Sequence, residues 1–190
     1  MTTVVMGSSV QLGSCIMASM HAFRFDTFVK RLEWALPLTD GIERDQYDTP
    51  EAHYIVVSDA AEQRVTGCAR LLPTTKSYML PDLFPQLLGD TKAPSHPAIW
   101  ELSRFAASVR ETGEGRILSL SDPTLSLLSQ ILDFARQRGI ERLILVTSIG
   151  IERLMLRAKI AAYRVAPPAL IDGSPHVALY LDVNPPGETG

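Results

Sequence analysis

The sequence "ERDQYD", residues 43–48, brings the carboxylates of Asp45 and Asp48 close together after a predicted helix. Two neighbouring carboxylates can bind a cationic or hydroxyl-rich ligand, because each oxygen accepts hydrogen bonds. In the alternative interpretation the loop is simply solvated, and both side chains accept hydrogen bonds from their own backbone in Asx-type turns. Spacing alone does not distinguish these two interpretations.

Two arginines, Arg24 and Arg70, fall beside apolar residues, and Arg70 belongs to a strand that is otherwise apolar. A buried guanidinium requires a carboxylate partner. The carboxylates available for this purpose are those of Asp45, Asp48 and Glu101. We therefore expect an ion network that links a hairpin, the acidic loop and the strand that contains Glu101.

That last strand, "AIWELSRFAAS" at residues 98–108, carries Glu101 and Arg104 inside an apolar run. Charged groups are costly to bury there unless they are paired. Side chains alternate along a strand, so residues three apart point to opposite faces. A regular strand would therefore keep this carboxylate and this guanidinium out of a common site.

The stretch "RETGEG", residues 110–115, fits the R-x-x-G-x-G pattern with which GNAT-type acetyltransferases hold the coenzyme A pyrophosphate on backbone N–H groups. Its two glutamates would face the phosphates, and the next helix begins only near Ser121. We interpret this stretch as a flexible surface loop.

The composition indicates one folded domain, residues 1–190, with a sizeable core. Apolar residues make up 46% and charged residues 21%, and the net charge of −3 does not favour nucleic acid. Cys15 and Cys68 are far apart and the four histidines are scattered, so we expect free thiols and no metal site. No apolar run approaches the ~20 residues of a membrane span, which predicts a cytoplasmic protein without an anchor.

Hydrophobic periodicity predicts a helix within residues 20–36, then a hairpin of strands 53–59 and 65–74. Strand 99–108 follows, and further elements are predicted as helix 120–139, strand 141–148, helix 149–160 and strands 163–171 and 176–183. Residues 1–19 and 184–190 are expected to be flexible. This order predicts an α/β fold with a mixed sheet covered by helices on both faces, and strand–helix–strand over 98–148 implies one parallel pair with a right-handed crossover.

Several short motifs occur in a fixed order along the chain. They are R-x-x-x-F at Arg24 and Phe28, then Trp34, E-x-D-x-x-D at Glu43, Asp45 and Asp48, "RLLPTT-x-x-Y-M-L" from Arg70, Phe84, and "WELSRF" at 100–105. In combination they closely resemble the LuxI-type acyl-homoserine-lactone synthases, the autoinducer synthases of bacterial quorum sensing. The resemblance covers roughly residues 20–165.

The resemblance implies a GNAT-like three-layer αβα sandwich with a bulge in the "WELSRF" strand. A bulge adds one residue and shifts the alternation of side chains. Glu101 and Arg104 could then face one cleft, and the bulge would splay two parallel strands into a slot for a phosphopantetheine arm.

The implied reaction joins S-adenosylmethionine, a substrate rather than a cofactor, to an acyl chain on acyl carrier protein. The amine attacks the thioester, and the substrate carboxylate then closes the lactone and expels methylthioadenosine. No cofactor is expected. Glu101 would take the amine proton, and backbone N–H groups near residues 103–106 would stabilise the acyl oxyanion.

The resemblance also assigns residues. Arg104 joins Glu101 as catalytic, and the S-adenosylmethionine pocket comprises Arg24, Phe28, Trp34, Asp45, Asp48 and Phe105. Arg70 and Glu43 belong to the supporting ion network, and Ser103, Thr147 and Phe84 contact the acyl chain or thioester. A hydroxyl at Thr147 permits a contact with a 3-oxo group, and a plain buried threonine is equally consistent.

Apolar candidates suggest a closed tunnel for a medium-length chain; they are Leu102, Leu118, Leu125, Ile149, Met155 and Leu181.

Acyl carrier protein is acidic, so a basic docking face is expected. Arg153 and Arg157 lie four apart on a predicted helix, with Lys159 and Arg164 nearby; a solvated helix face explains them equally well. We expect a monomer. Two other functions remain open: a coenzyme A-dependent GNAT-type N-acyltransferase, and a non-catalytic domain that binds an acyl ligand or a protein.

Overall fold

Eight strands of the described residues form one mixed sheet. The structure, a computed structural model, describes residues 2–34, 42–59, 61, 64–108 and 122–184. The strands are β1 (Thr2–Ser8), β2 (His53–Asp59), β3 (Arg64–Pro73), β4 (Ile99–Ala107), β5 (Arg142–Ser148), β6 (Ala162–Arg164), β7 (Ala169–Ile171) and β8 (Ser174–Asp182). The helices are α1 (Ser9–Arg24), continued by π-helical Phe25–Arg31, then α2 (Met79–Leu83), the 3₁₀ turn Pro85–Leu88, α3 (Asp122–Gln137) and α4 (Ile149–Arg157).

The strand order across the sheet is β1-β2-β3-β4-β5-β8-β6, and β7 also pairs with β8. Neighbouring strands are antiparallel except β4 and β5, which form the parallel pair that the sequence predicts. That pairing covers only residues 99–101 and 142–144, although both strands continue beyond it. The two central strands therefore diverge and leave a slot in the sheet, as the resemblance implies.

A bulge interrupts the pairing of β3 with β4. Cys68 pairs with Ala106, but the next paired position is Arg70 with Ser103, so β4 contains one residue more than β3 between these points. Arg104 lies at the bulge with a φ of 51°, a left-handed conformation that bulged residues can adopt. The Cys68 thiol donates to the Arg104 carbonyl at 3.4 Å.

Two apolar clusters lie on opposite faces of the sheet, which gives three layers. One contains Leu12 and Met20 of α1 and the segment around α2 and the 3₁₀ turn. The other contains side chains of α3 and Met155 of α4. The three-layer sandwich around a mixed sheet, which the sequence predicts, is confirmed.

The N-terminal segment contains a strand and a helix start where the sequence predicts no regular element. Strand β1 pairs with β2 over seven residue pairs, and helix α1 begins at Ser9, well before the predicted helix. Ser8 caps α1 because its hydroxyl accepts from the N–H of Gln11 at 3.4 Å, while its own N–H donates to the Gln11 side chain at 2.8 Å. Gly13 interrupts α1 with a φ of 77°. The strand was missed because Val4 and Met6 pack on one face and Val5 on the other, so no polar alternation appears.

Some predicted features lie outside the described residues. They are "RETGEG" at 110–115, Leu118, residues 35–36 of the first predicted helix, and 185–190 of the expected tail. Within the described part of the chain, each helix is too short or too polar to cross a membrane.

Candidate active site

Three arginines and three carboxylates meet on the face of the sheet that α1 covers. The arginines are Arg24 at the end of α1, Arg70 of β3 and Arg104 of β4, and the carboxylates are Glu43, Asp45 and Asp48, which precede β2. The six charges sum to zero, which makes their common burial tolerable. We call this set the ion network.

Arg24 and Arg104 hold the acidic segment from two sides. Arg24 binds Glu43 through Nε and binds both oxygens of Asp48, at 2.7 and 3.0 Å. Arg104 donates from Nη2 to Glu43 at 2.9 Å and to Asp45 at 2.7 Å. Each arginine thus bridges two carboxylates, so the segment is fixed to α1 and to β4 at once.

Arg70 lies between these contacts and is fully buried. Its Nη1 donates to Asp45 at 2.5 Å and to Asp48 at 3.0 Å, and its Nε donates to the Ser103 hydroxyl at 3.1 Å. The Tyr54 hydroxyl adds a further hydrogen bond to Asp48, at 3.0 Å. Arg70 therefore touches both the acidic segment and β4.

The carboxylates of the ion network stay ionised. Burial alone would raise the pKa of Asp48, but the bonded guanidinium of Arg24 holds that pKa well below its usual range. Burial also acts to raise the pKa of Asp45, but the bonded Arg70 guanidinium outweighs it and lowers that pKa. In the same way, Arg24 and Arg104 outweigh burial and lower the pKa of Glu43. The Asp45 side chain is 11% exposed against 2% for Asp48, so Asp45 is the more accessible to a ligand.

Glu101 is buried beside the network but bonds to backbone rather than to an arginine. Its Oε2 accepts from the N–H of Met79 at 2.9 Å, and its Oε1 accepts from the N–H of Leu80 at 2.7 Å. Burial raises the pKa of Glu101 to about 7, against the lowering effect of these N–H groups and of Arg70 and Arg104. The sequence-based pairing of Glu101 with a buried arginine is thus corrected, because the start of α2 supplies its donors.

The bulge explains how Glu101 and Arg104 share one side of the sheet. Leu102 and Phe105 pack in the α3 cluster on the other face. Ser103 bonds to Arg70 and its neighbour Arg104 bonds to Glu43, so these two consecutive side chains point the same way as Glu101. The extra residue at the bulge thereby answers the spacing problem of the "WELSRF" strand.

Phe28 and Trp34 form an aromatic pair next to Arg104. Their rings stack with centroids 4.9 Å apart, and the Arg104 guanidinium lies 5.7 Å from the Phe28 ring. Phe28 is 2% exposed, whereas Trp34 is 46% exposed. The buried ring therefore packs against the network, and the exposed ring is free to meet a ligand.

Three residues predicted to contact a substrate lie on the apolar clusters and not within the ion network. Phe105 packs in the α3 cluster, because the bulge turns it away from the network. Thr147 pairs with Val177, which belongs to that same cluster, so Thr147 and Ser103 lie on opposite faces of the sheet. Phe84 packs against the α1 cluster. Of the tunnel candidates, Leu102, Met155 and Leu181 are buried in the α3 cluster, Ile149 packs against it and Leu125 is 38% exposed.

The basic residues predicted for docking lie on or just after α4. Arg153, Arg157 and Lys159 are exposed. Arg164 instead binds both oxygens of Glu152, at 2.5 and 2.7 Å, so its charge is already paired. Leu156, between the arginines, is 55% exposed.

Sequence reasoning missed several neighbours of the network, and Met79 and His21 are two of them besides Tyr54. The Met79 sulfur accepts from Arg70 and Arg104, a contact that the "YML" motif does not predict by itself. His21 donates from Nδ1–H to the Glu43 carbonyl oxygen at 2.9 Å, and burial lowers the pKa of its imidazole. Neither position stands out in a sequence, since methionine is often buried in cores and histidine is intermediate in burial. The described residues contain no His, Cys, Asp or Glu cluster with metal-binding geometry.

Comparison with known proteins matches this chain to one family. The family model described as autoinducer synthase matches residues 10–186. The chain belongs to the autoinducer synthase family. It is 39% identical to an acyl-homoserine-lactone synthase of Ralstonia nicotianae, over 97% of this chain and 90% of that protein. It is 36% identical to one of Acinetobacter nosocomialis, over 95% and 99% respectively.

Solved structures of this family share the fold. The AHL synthase LasI is 34% identical with a TM-score of 0.84, over 97% of this chain and 91% of that one. TofI, solved with an inhibitor and MTA, is 36% identical with a TM-score of 0.80, over 96% and 92%. BjaI, a CoA-dependent synthase solved with SAM and isopentyl-CoA, is 27% identical with a TM-score of 0.84, over 97% and 84%. The resemblance is thereby confirmed, and the chain is an acyltransferase of the acyl-homoserine-lactone synthase type.

Proposed function

We propose that this enzyme makes an N-acyl-L-homoserine lactone from S-adenosylmethionine and a medium-length acyl chain on acyl carrier protein. Methylthioadenosine and the free carrier protein leave as the other products. The observation that carries the proposal is Glu101, a buried carboxyl group with a pKa of about 7, next to a neutral cluster of three arginines and three acids. Family membership and the neighbours solved with SAM or MTA support the same substrate.

Acylation requires the free amine of S-adenosylmethionine, and Glu101 is the base that accepts its proton, directly or through one water. A base whose pKa is near the working pH is partly ionised, so the carboxylate form is available and still binds a proton. The N–H groups of Met79 and Leu80 occupy one position on each oxygen, and each carboxylate oxygen has a second lone pair. Glu101 therefore remains able to accept a proton while its orientation is fixed.

The ion network and the aromatic pair form the S-adenosylmethionine pocket in this proposal. The sulfonium and ammonium groups of the substrate are cations, which the exposed Trp34 ring and the accessible Asp45 carboxylate attract. Arg104 presents its guanidinium beside Phe28 for the substrate carboxylate. Arg24, Asp48, Arg70 and Glu43 are more deeply buried, so they support the pocket through the contacts described above.

The slot between β4 and β5 receives the acyl thioester. Beyond residue 101 the parallel pairing with β5 stops, so backbone N–H groups near residues 103–106 are available to stabilise the oxyanion. Ser103, Thr147 and Phe84 are proposed contacts of the thioester and chain, with Ser103 and Thr147 on opposite faces of the splayed pair. Lactone closure then needs positioning more than acid–base chemistry, because the sulfonium is a good leaving group.

Acyl carrier protein is the proposed donor, and α4 is its proposed docking site. Arg153, Arg157 and Lys159 supply exposed positive charge around the exposed Leu156, a combination that suits an acidic partner with an apolar patch. Because BjaI is a CoA-dependent synthase, acyl-coenzyme A is the alternative donor. We further propose a cytoplasmic monomer that needs no cofactor; the free thiols Cys15 and Cys68 are compatible with a reducing compartment.

The test is to incubate the purified enzyme with S-adenosylmethionine and a panel of acyl carrier proteins of different chain length, with matched acyl-coenzyme A thioesters in parallel. Mass spectrometry of the products should detect an acyl-homoserine lactone and methylthioadenosine in equal amounts. A preference for the carrier protein would support it as the acyl donor, and a preference for a medium chain would support the proposed chain length. Acyl transfer to another amine, with S-adenosylmethionine unconsumed, would instead indicate a coenzyme A-dependent N-acyltransferase.

A further inference from the structure

Met79 lies where the ion network and Glu101 meet. It is the first residue of α2 and is 9% exposed. Its backbone N–H donates to Glu101 Oε2 at 2.9 Å. Its Sδ lies 3.1 Å from Nη2 of Arg70 and 3.6 Å from Nη1 of Arg104. One residue thus contacts the carboxyl group and two of the three network arginines.

A thioether is a weak acceptor for a guanidinium, and the remaining contacts of these arginines involve stronger oxygen acceptors. A fourth carboxylate at this place would make the network negative and would raise the pKa of the adjacent Glu101 further. A purely apolar side chain would leave buried N–H donors without an acceptor. Sulfur satisfies the donors without adding charge.

We propose that Met79 is a positioning residue that sets the distance between Glu101 and Arg104. Its N–H fixes the carboxylate while its sulfur fixes the guanidinium, so one backbone position controls both. The inference rests on the proposed function, in which Glu101 accepts the amine proton and Arg104 faces the substrate carboxylate. Both groups address the same S-adenosylmethionine molecule. Loss of the sulfur should therefore affect this substrate more than the acyl donor.

Two variants separate the acceptor from the apolar bulk of the side chain. Met79→Leu keeps the side chain apolar but removes the acceptor, and Met79→Gln supplies a carbonyl acceptor on a chain of similar length. We expect Met79→Leu to raise KM for S-adenosylmethionine about tenfold and to leave KM for the acyl donor within about twofold. Met79→Gln should restore KM for S-adenosylmethionine to within about threefold of wild type. Release of methylthioadenosine measures both constants.

Met20 is the matched control, because it is 1% exposed and packs in the apolar α1 cluster. There leucine should be tolerated and glutamine should lower the melting temperature, the reverse of the order expected at Met79. Wild-type KM for S-adenosylmethionine in Met79→Leu, or a Met79→Gln enzyme no better than Met79→Leu, would overturn the inference.

Melting temperatures keep this test separate from the proposed function. Should the wild type form no lactone, the acceptor role still predicts that Met79→Leu melts below Met79→Gln. The reverse order would then refute the acceptor role by itself. Lactone formation by the wild type together with equal KM values in all variants would refute the positioning role and leave the proposed function intact.

Discussion

At the scale of single residues, Glu101 combines two properties that oppose each other. Two backbone N–H groups bind its oxygens, which favours the carboxylate, but burial favours the neutral acid and dominates. The outcome is a group that titrates near neutral pH instead of near 4.5. Such a group is suited to take a proton from an amine, and its removal should affect chemistry more than folding.

Glu101→Ala should reduce turnover by ~10²-fold or more, because the general base is lost. The measurement is the rate of methylthioadenosine release by the folded variant at saturating substrate. Thr74→Val is the control, because Thr74 is also buried and its hydroxyl donates to the Ile99 carbonyl at 2.7 Å. The proposed mechanism gives Thr74 no role. Wild-type turnover by Glu101→Ala would remove Glu101 from the mechanism.

The pH dependence of turnover should show an acid limb centred near pH 7. Only the carboxylate form of Glu101 can accept a proton, and its pKa of about 7 means that this form disappears as the pH falls through that value. Turnover should therefore fall towards tenfold per pH unit below the midpoint. In Glu101→Gln the residual activity should lack this limb. An unchanged midpoint in that variant would assign the limb to the substrate amine.

At the scale of elements, the ion network joins parts of the chain that are far apart in sequence. Arg24 ends α1, Arg70 lies in β3 and Arg104 in β4, and all three bind the acidic segment before β2. Each contact orders the segment that precedes β2 as well as neutralising a charge. The network should consequently carry stability together with function.

Arg70→Ala should lower the free energy of unfolding by about 3–5 kcal/mol, because Asp45 and Asp48 would lose a buried partner. Activity should fall as well, since Ser103 also loses its contact with Arg70. Urea unfolding measures the change in stability. Lys30→Ala is the control: its pair with Asp26 is more than 60% exposed on both sides and should contribute at most ~0.5 kcal/mol. Equal midpoints for the two variants would contradict a buried network.

Some elements of this fold can be predicted from the sequence, and others cannot. Strands β2 to β5 and helices α3 and α4 follow from local periodicity, and the need of Arg24 and Arg70 for acids pointed to Asp45 and Asp48. The bulge at Arg104 followed from the family resemblance, and local pattern alone does not specify it. The partners of Glu101 escaped because backbone N–H groups at a helix start carry no sequence signal.

For the whole molecule, charge is distributed unevenly. The chain carries a net charge of −3, and the six charges of the network cancel one another inside it. Arg153 and Arg157 remain exposed on α4, whereas Arg164 is paired with Glu152. An acidic carrier protein would thus be attracted to one local surface of a protein that repels it overall.

Arg153→Glu or Arg157→Glu should raise KM for acyl carrier protein about tenfold with little change in kcat, because docking charges affect encounter more than chemistry. KM for the matching acyl-coenzyme A, which does not require the α4 surface, should change much less. Lys92→Glu is the control, since it changes net charge by the same amount at an exposed position outside α4. If Lys92→Glu raises KM as much, overall charge rather than the α4 surface governs docking. If both thioesters lose affinity equally in the α4 variants, these arginines act on the acyl site and carrier docking lies elsewhere.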